Sequence, residues 1–171
     1  MAYEDLIQSF KQSNLPMPLI AAIYWRLLKK WRGSSKVGRA FPTSSRNIIS
    51  PFGARNFKGM KYHYGVDIEG EYGAPAFAGV SGTVIDSYYD PILGYVVKVK
   101  DPSGRWIGEH HGLASEGLAP VGTQVEATDV VGYSGATESP SVSSGAHIHW
   151  GLFDTQAGQY IDPLAWLEGA Y

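Results

Sequence analysis

The chain contains no cysteine. Neither a disulfide nor a thiolate metal ligand can therefore contribute to it, and the redox compartment is left open. Long apolar runs are missing too. The longest candidate, Met17 to Leu28, is interrupted by Pro18 and Arg26 and falls short of the roughly 20 residues a membrane-spanning helix needs. The first residues carry Glu4 and Asp5 and no basic n-region, so the start does not read as a secretory signal. No internal repeat or low-complexity tract is present. Against these absences, 44% hydrophobic residues in a chain of 171 suit one soluble domain with a real core. The 21 glycines and 10 prolines imply many tight turns between short strands.

The net charge of -2 conceals an asymmetry. Residues 1–60 hold ten Lys and Arg against two acids, net +8, while the remainder holds four basic and fourteen acidic residues, net -10. The basic part begins with two amphipathic stripes. Tyr3, Leu6, Ile7 and Phe10 recur at helical spacing, as do Ile20, Ile23, Tyr24, Leu27, Leu28 and Trp31. Pro16 and Pro18 separate the stripes, and Gly33-Ser34-Ser35 ends the second. This predicts a basic helical segment over 1–35, followed by a domain over 36–171. Two roles fit the segment: it meets an anionic wall polymer or membrane surface, or it packs against the acidic part of its own chain. No nucleic-acid partner is expected.

Beyond about residue 40 the period becomes two. Gly82–Tyr88 and Tyr95–Lys100 read as strands around the turn Asp90-Pro91-Ile92-Leu93-Gly94. Asp101-Pro102-Ser103-Gly104 is a second turn, leading into Arg105–His111. Val121–Val125, Val130–Tyr133 and Ala146–Phe153 are further β elements. The expected fold is mainly β: an antiparallel, sandwich-like sheet domain with a substrate groove, preceded by the small helical segment.

The five histidines fall in three places: His63, the pair His110–His111, and His147 with His149. His63 and Asp67 form H-x-x-x-D, and His147 and His149 form H-x-H. Histidine and aspartate are the ligands of catalytic zinc, where three protein ligands leave one position for water. On a strand, both histidines of H-x-H point to one face, so one can bind metal while the other stands beside the open position. Gly65 is expected to let the chain turn so that His63 and Asp67 converge. A lone H-x-H is more often a solvated β face; three clusters together favour a metal site.

Read in order, the motifs resemble those of the lysostaphin-type (LytM-like) zinc metallopeptidases, which cut peptidoglycan peptides. The resemblance spans roughly Ile48 to Leu167. It rests on Ser50-Pro51-Phe52-Gly53-Ala54-Arg55, His63-Tyr64-Gly65-Val66-Asp67-Ile68, Ala74–Ala78 with Gly82-Thr83-Val84, Gly122–Gly135, Gly145–Trp150 and Ile161-Asp162-Pro163-Leu164.

The resemblance implies a zinc endopeptidase acting on a peptidoglycan stem peptide or cross-bridge at the bacterial cell wall, phage-encoded or virion-associated or exported by another route. It implies Zn2+ held by His63, Asp67 and His149, with His147 and His111 as catalytic residues. His111 takes the place of the histidine in the "Y-x-H" segment; a register one residue away would choose His110 instead. Three positions depart from the pattern: Gly151 stands where glutamate is common, Glu109 replaces the usual tyrosine, and the "G-x-T-G" turn reads Gly135-Ala136-Thr137-Glu138. The alternative from another class is a noncatalytic structural or wall-binding module of the same fold, such as a phage tail component.

Overall fold

The computed structural model describes residues 38–171; the helical segment expected over 1–35 lies outside the described residues. The described residues form twelve strands and one short helix. They are β1 (Ile48–Ser50), β2 (Gly53–Phe57), β3 (Met60–His63), β4 (Gly65–Ile68), β5 (Pro75–Phe77) and β6 (Gly82–Asp90). Then come β7 (Gly94–Lys100), β8 (Trp106–Leu113), β9 (Gln124–Val125), β10 (Val130–Tyr133), β11 (Ile148–Asp154), β12 (Gln159–Ile161) and α1 (Pro163–Leu167). The main sheet runs β1-β4-β11-β8-β7-β6-β9, with β12 beside β11; β10-β5 and β2-β3 form two smaller sheets. Every pairing is antiparallel. Among the described residues no helix is long and apolar enough to cross a membrane.

The two turns around β7 form for local reasons. Asp90 Oδ1 accepts from the N–H groups of Ile92 and Leu93 at 2.7 and 2.9 Å, and Gly94 closes that turn at φ 73°, a conformation open to glycine. Asp101 accepts from Ser103 N and Oγ with one oxygen and from Trp106 N with the other.

Alternation then sorts the sheet's residues. Val66 and Ile68 of β4, Ile148, Trp150 and Leu152 of β11, and Val97 and Val99 of β7 are completely buried in one core. Trp150 meets Trp166 of α1 edge-on at 6.3 Å between ring centres, and Trp106 meets Trp166 at 5.8 Å. Burial of such rings dominates a core this size; truncating one to alanine typically costs about 3–5 kcal/mol. The Ile161-Asp162-Pro163 motif starts α1: Asp162 caps it by accepting from Leu164 N and Ala165 N, and Pro163 occupies the first turn. At the far end of the β8–β11 pair, Arg105 and Asp154 form a clamp with an Nη2–Oδ2 distance of 2.8 Å.

The strands expected from periodicity are present, with shifted ends. β6 continues to Asp90, β8 runs from Trp106 to Leu113 rather than from Arg105 to His111, β11 begins at Ile148 rather than Ala146, and only Gln124–Val125 of the stretch 121–125 pairs, against Gly82 and Thr83. Strands β1 to β5 and β12 were not anticipated.

Candidate functional site

One row of side chains crosses the sheet on the face opposite the core. Asp67 of β4 is registered against His149 of β11, and His149 against His111 of β8. Period two puts the three on one face. The adjacent row, Val66, Trp150 and His110, belongs to the core side. His110 is fully buried; that burial, and then the charges of His111 and His149, depress its pKa to about 3, so it is neutral. Of the 110–111 pair, His111 is the one that lines the pocket with His63, Asp67, His147 and His149.

His63 ends β3. Its Nδ1 lies 2.9 Å from the Pro51 carbonyl and 3.2 Å from Ser50 Oγ. An N–H at Nδ1 donates to that carbonyl and leaves Nε2 as the lone-pair nitrogen. Nε2 lies 3.1 Å from Asp67 Oδ1 and 3.2 Å from His149 Nδ1, and His149 Nδ1 lies 2.8 Å from Asp67 Oδ1. Three electron-pair donors thus form a triangle. Zinc bonds of about 2.0–2.1 Å in tetrahedral array span ligand–ligand edges of about 3.3 Å. The observed triangle would open by only a few tenths of an ångström to take such an ion. Two imidazoles and one carboxylate are also the donor mix of a catalytic rather than a structural zinc site. His63, Asp67 and His149 could therefore hold a metal; a second set, His111, Glu138 and His149, shares His149 with it.

The electrostatics suit a cation. Burial works against the Asp67 charge, but hydrogen bonds from His147, His149 and His63 outweigh it and hold the carboxyl far below the usual range. Arg55 adds an Nη1 contact at 3.4 Å to Asp67 Oδ2. Burial, then the charge of His111, brings His149 down to about 4 despite Asp67. The neutral form that results is the one that binds metal.

His147 lies just outside the strand, since β11 begins at Ile148. Its carbonyl accepts from Ser134 Oγ at 3.0 Å instead of joining the ladder, and its Nδ1 pairs with the Gly145 carbonyl at 2.9 Å. Nε2 still reaches the site, 3.3 Å from Asp67 Oδ1 and 3.5 Å from Glu138 Oε2. Burial opposes its charge, but Asp67, Gly145 and Glu138 together raise its pKa to about 9.

Gly65 does not make the turn expected of it. The chain bends at Tyr64, and Gly65 opens β4. Glycine is required there by proximity: a Cβ would stand 2.7 Å from His149 Nε2 and 2.7 Å from the Trp150 carbonyl oxygen.

Sequence reasoning missed Glu138, whose carboxyl burial pushes up, and the Lys98–Glu109–Tyr160 cluster beside His111. No local pattern points to either. The roles of Ser50, Pro51 and Arg55 did have a signal, the S-P-F-G-A-R segment, whose members touch His63 and Asp67.

Comparison with known proteins gives concordant results. The pattern of peptidase family M23 matches residues 61–163. Stage II sporulation protein Q of Bacillus subtilis (strain 168) is 33% identical over 91 residues, 53% of this chain and 30% of that protein. Among solved structures, a zinc-containing peptidase from Vibrio cholerae superposes with a TM-score of 0.63 at 22% identity, covering 72% of this chain and 38% of that one. The catalytic domain of the antimicrobial peptidase lysostaphin from Staphylococcus simulans gives a TM-score of 0.62 at 23% identity, covering 72% and 92%. At these identities the two structures speak for the fold. The chain spans less than half the length of the sporulation protein and of the Vibrio peptidase.

Proposed function

The chain belongs to peptidase family M23, and from that membership we propose that it is a zinc-dependent endopeptidase hydrolysing peptide bonds of bacterial peptidoglycan, in the stem peptide or cross-bridge. One observation carries the reading: His63 Nε2, Asp67 Oδ1 and His149 Nδ1 converge with edges of 2.8–3.2 Å, and His111 and His147 line the same pocket.

In this reading His63, Asp67 and His149 hold Zn2+. When bound, the ion polarises the scissile carbonyl and brings the pKa of water toward about 7. The protein's own part falls to the two remaining histidines. His111 and His147 orient the attacking water, take up its proton, pass one to the leaving amine and stabilise the oxyanion. Neither serves as a nucleophile, so hydrolysis proceeds without a covalent intermediate on the protein.

Purified protein is expected to release new amino termini from cell-wall suspensions, to stop when a chelator is added, and to recover with Zn2+. Zinc-loaded protein that releases none from any peptidoglycan type would overturn the reading. His149→Ala is expected to lose metal and activity together, whereas His111→Ala keeps the metal and loses activity.

A second reading, a noncatalytic structural or wall-binding module, draws on the relative at 33% identity, whose name refers to a stage of sporulation and not to hydrolysis. Such a module needs no turnover. Zinc content by elemental analysis together with the amino-terminus assay separates the two.

A further inference from the structure

Two of the departures from the family pattern meet in space. Glu109 stands in place of tyrosine, Gly151 in place of glutamate, and the two are direct partners in the β8–β11 ladder. The carboxylate thus sits one strand over. A phenol reaches it from β12: the Tyr160 hydroxyl donates to Glu109 Oε2 at 3.0 Å. The bare backbone at Gly151 accommodates that reach, since a Cβ there would lie 3.4 Å from Tyr160 Cε1 and 3.3 Å from the Tyr64 carbonyl oxygen. On the other flank Lys98, registered against Glu109 from β7, brings Nζ to 3.3 Å from Oε1. The remaining neighbour is His111, two residues along the same strand and so on the same face, with Nε2 3.4 Å from Oε2.

We propose that Glu109 is a positioning residue for His111: its carboxylate, anchored by Lys98 and Tyr160, keeps a proton on His111 Nε2 and leaves Nδ1 as the nitrogen with the lone pair. Nε2 is a buried nitrogen that makes no hydrogen bond, and the Glu109 carboxylate 3.4 Å away is the acceptor that stands beside it. Glu109 is only 5% exposed, which leaves little water to compete for it. Burial alone would favour the neutral acid, but His111, Lys98 and Tyr160 outweigh it and keep the carboxyl below its ordinary range. A carboxylate behind an imidazole fixes tautomer and ring orientation; its loss costs about 10–100-fold where the imidazole is a metal ligand and up to about 10⁴-fold where the imidazole is itself the catalytic base.

The part His111 plays in turnover rests on the hydrolase reading; the tautomer is a property of the folded chain by itself. The test is therefore double: side-chain 15N NMR of His111 in the zinc-loaded full chain, and steady-state hydrolysis of a peptidoglycan fragment. The unaltered protein is expected to carry the proton on Nε2 at neutral pH. Glu109→Gln offers one acceptor oxygen to three donors. It should mix the two tautomers and lower kcat by about 10- to 10⁴-fold, with KM within about twofold and zinc content unchanged. Tyr160→Phe keeps the carboxylate and should keep the tautomer. A proton on Nδ1 in the unaltered protein, or Glu109→Gln with tautomer and kcat both untouched, overturns the proposal. If the unaltered protein cleaves nothing, the hydrolase reading fails while the NMR arm still decides on Glu109. If Glu109→Gln does not fold, the unaltered protein and Tyr160→Phe decide.

Discussion

His110 and His111 are adjacent and chemically identical, yet the sheet assigns one to the core and the other to the pocket. Alternation alone leaves that choice open, because both registers of the segment give a plausible strand; it is the resemblance of the surrounding motif that favours His111. In the fold the choice is set by distant partners, Trp150 for His110, 40 residues away, and His149 for His111, 38 residues away. His63, Asp67, His147 and His149 were legible, since their spacings are short and each motif is local. Glu138 was not, because its approach to His147 depends on where a loop folds back.

The buried His110 has a consequence for stability. Its pKa is about 3 in the folded chain against about 6.5 unfolded. Between those values the unfolded chain takes up a proton that the folded chain refuses, so its contribution erodes as pH falls through 6.5 and levels off below 3. His110→Leu is expected to change stability by less than about 1.5 kcal/mol at pH 8, to flatten the pH dependence of denaturant midpoints between pH 6.5 and 3, and to leave zinc binding intact. A variant that loses zinc would place His110 in the site after all.

Among the elements, β6, β7, β8 and β11 announced themselves through alternation and through the Asp-Pro turns between them. β1 to β5 and β12 did not, because each has only three to five residues and such segments are too short to show a period. The shortness has a use at β4. Its four residues supply Asp67 to the site, Val66 and Ile68 to the core, and Gly65 as the bare position against His149. Gly65→Ala pushes a methyl group into that imidazole. Zinc retained after dialysis should fall, with affinity lowered by about 10–100-fold, while the thermal transition stays cooperative. Undiminished zinc retention would show that the ring can move aside at no cost to the site.

For the whole molecule, charge is spread unevenly along the chain: residues 1–60 carry a net +8 and the remainder a net -10. Residues 1–35 hold five of the ten basic residues of that first part, and the candidate metal ligands and the two catalytic histidines all come later, from His63 onward. Deleting residues 1–35 is therefore expected to leave hydrolysis of soluble fragments unchanged and to abolish salt-sensitive binding to anionic wall polymer or vesicles, read by co-sedimentation across a salt series. Unchanged sedimentation after the deletion would assign the binding elsewhere.

The cross-strand row Asp67–His149–His111 ties this chemistry to counting. Because faces alternate residue by residue, an insertion or deletion of odd length within β8 or β11 would send the pocket residues into the core and the core residues outward in one stroke. An even one would preserve the faces and only change which residues meet. Length changes in these two strands should thus be tolerated, in a library of variants, by parity rather than by size.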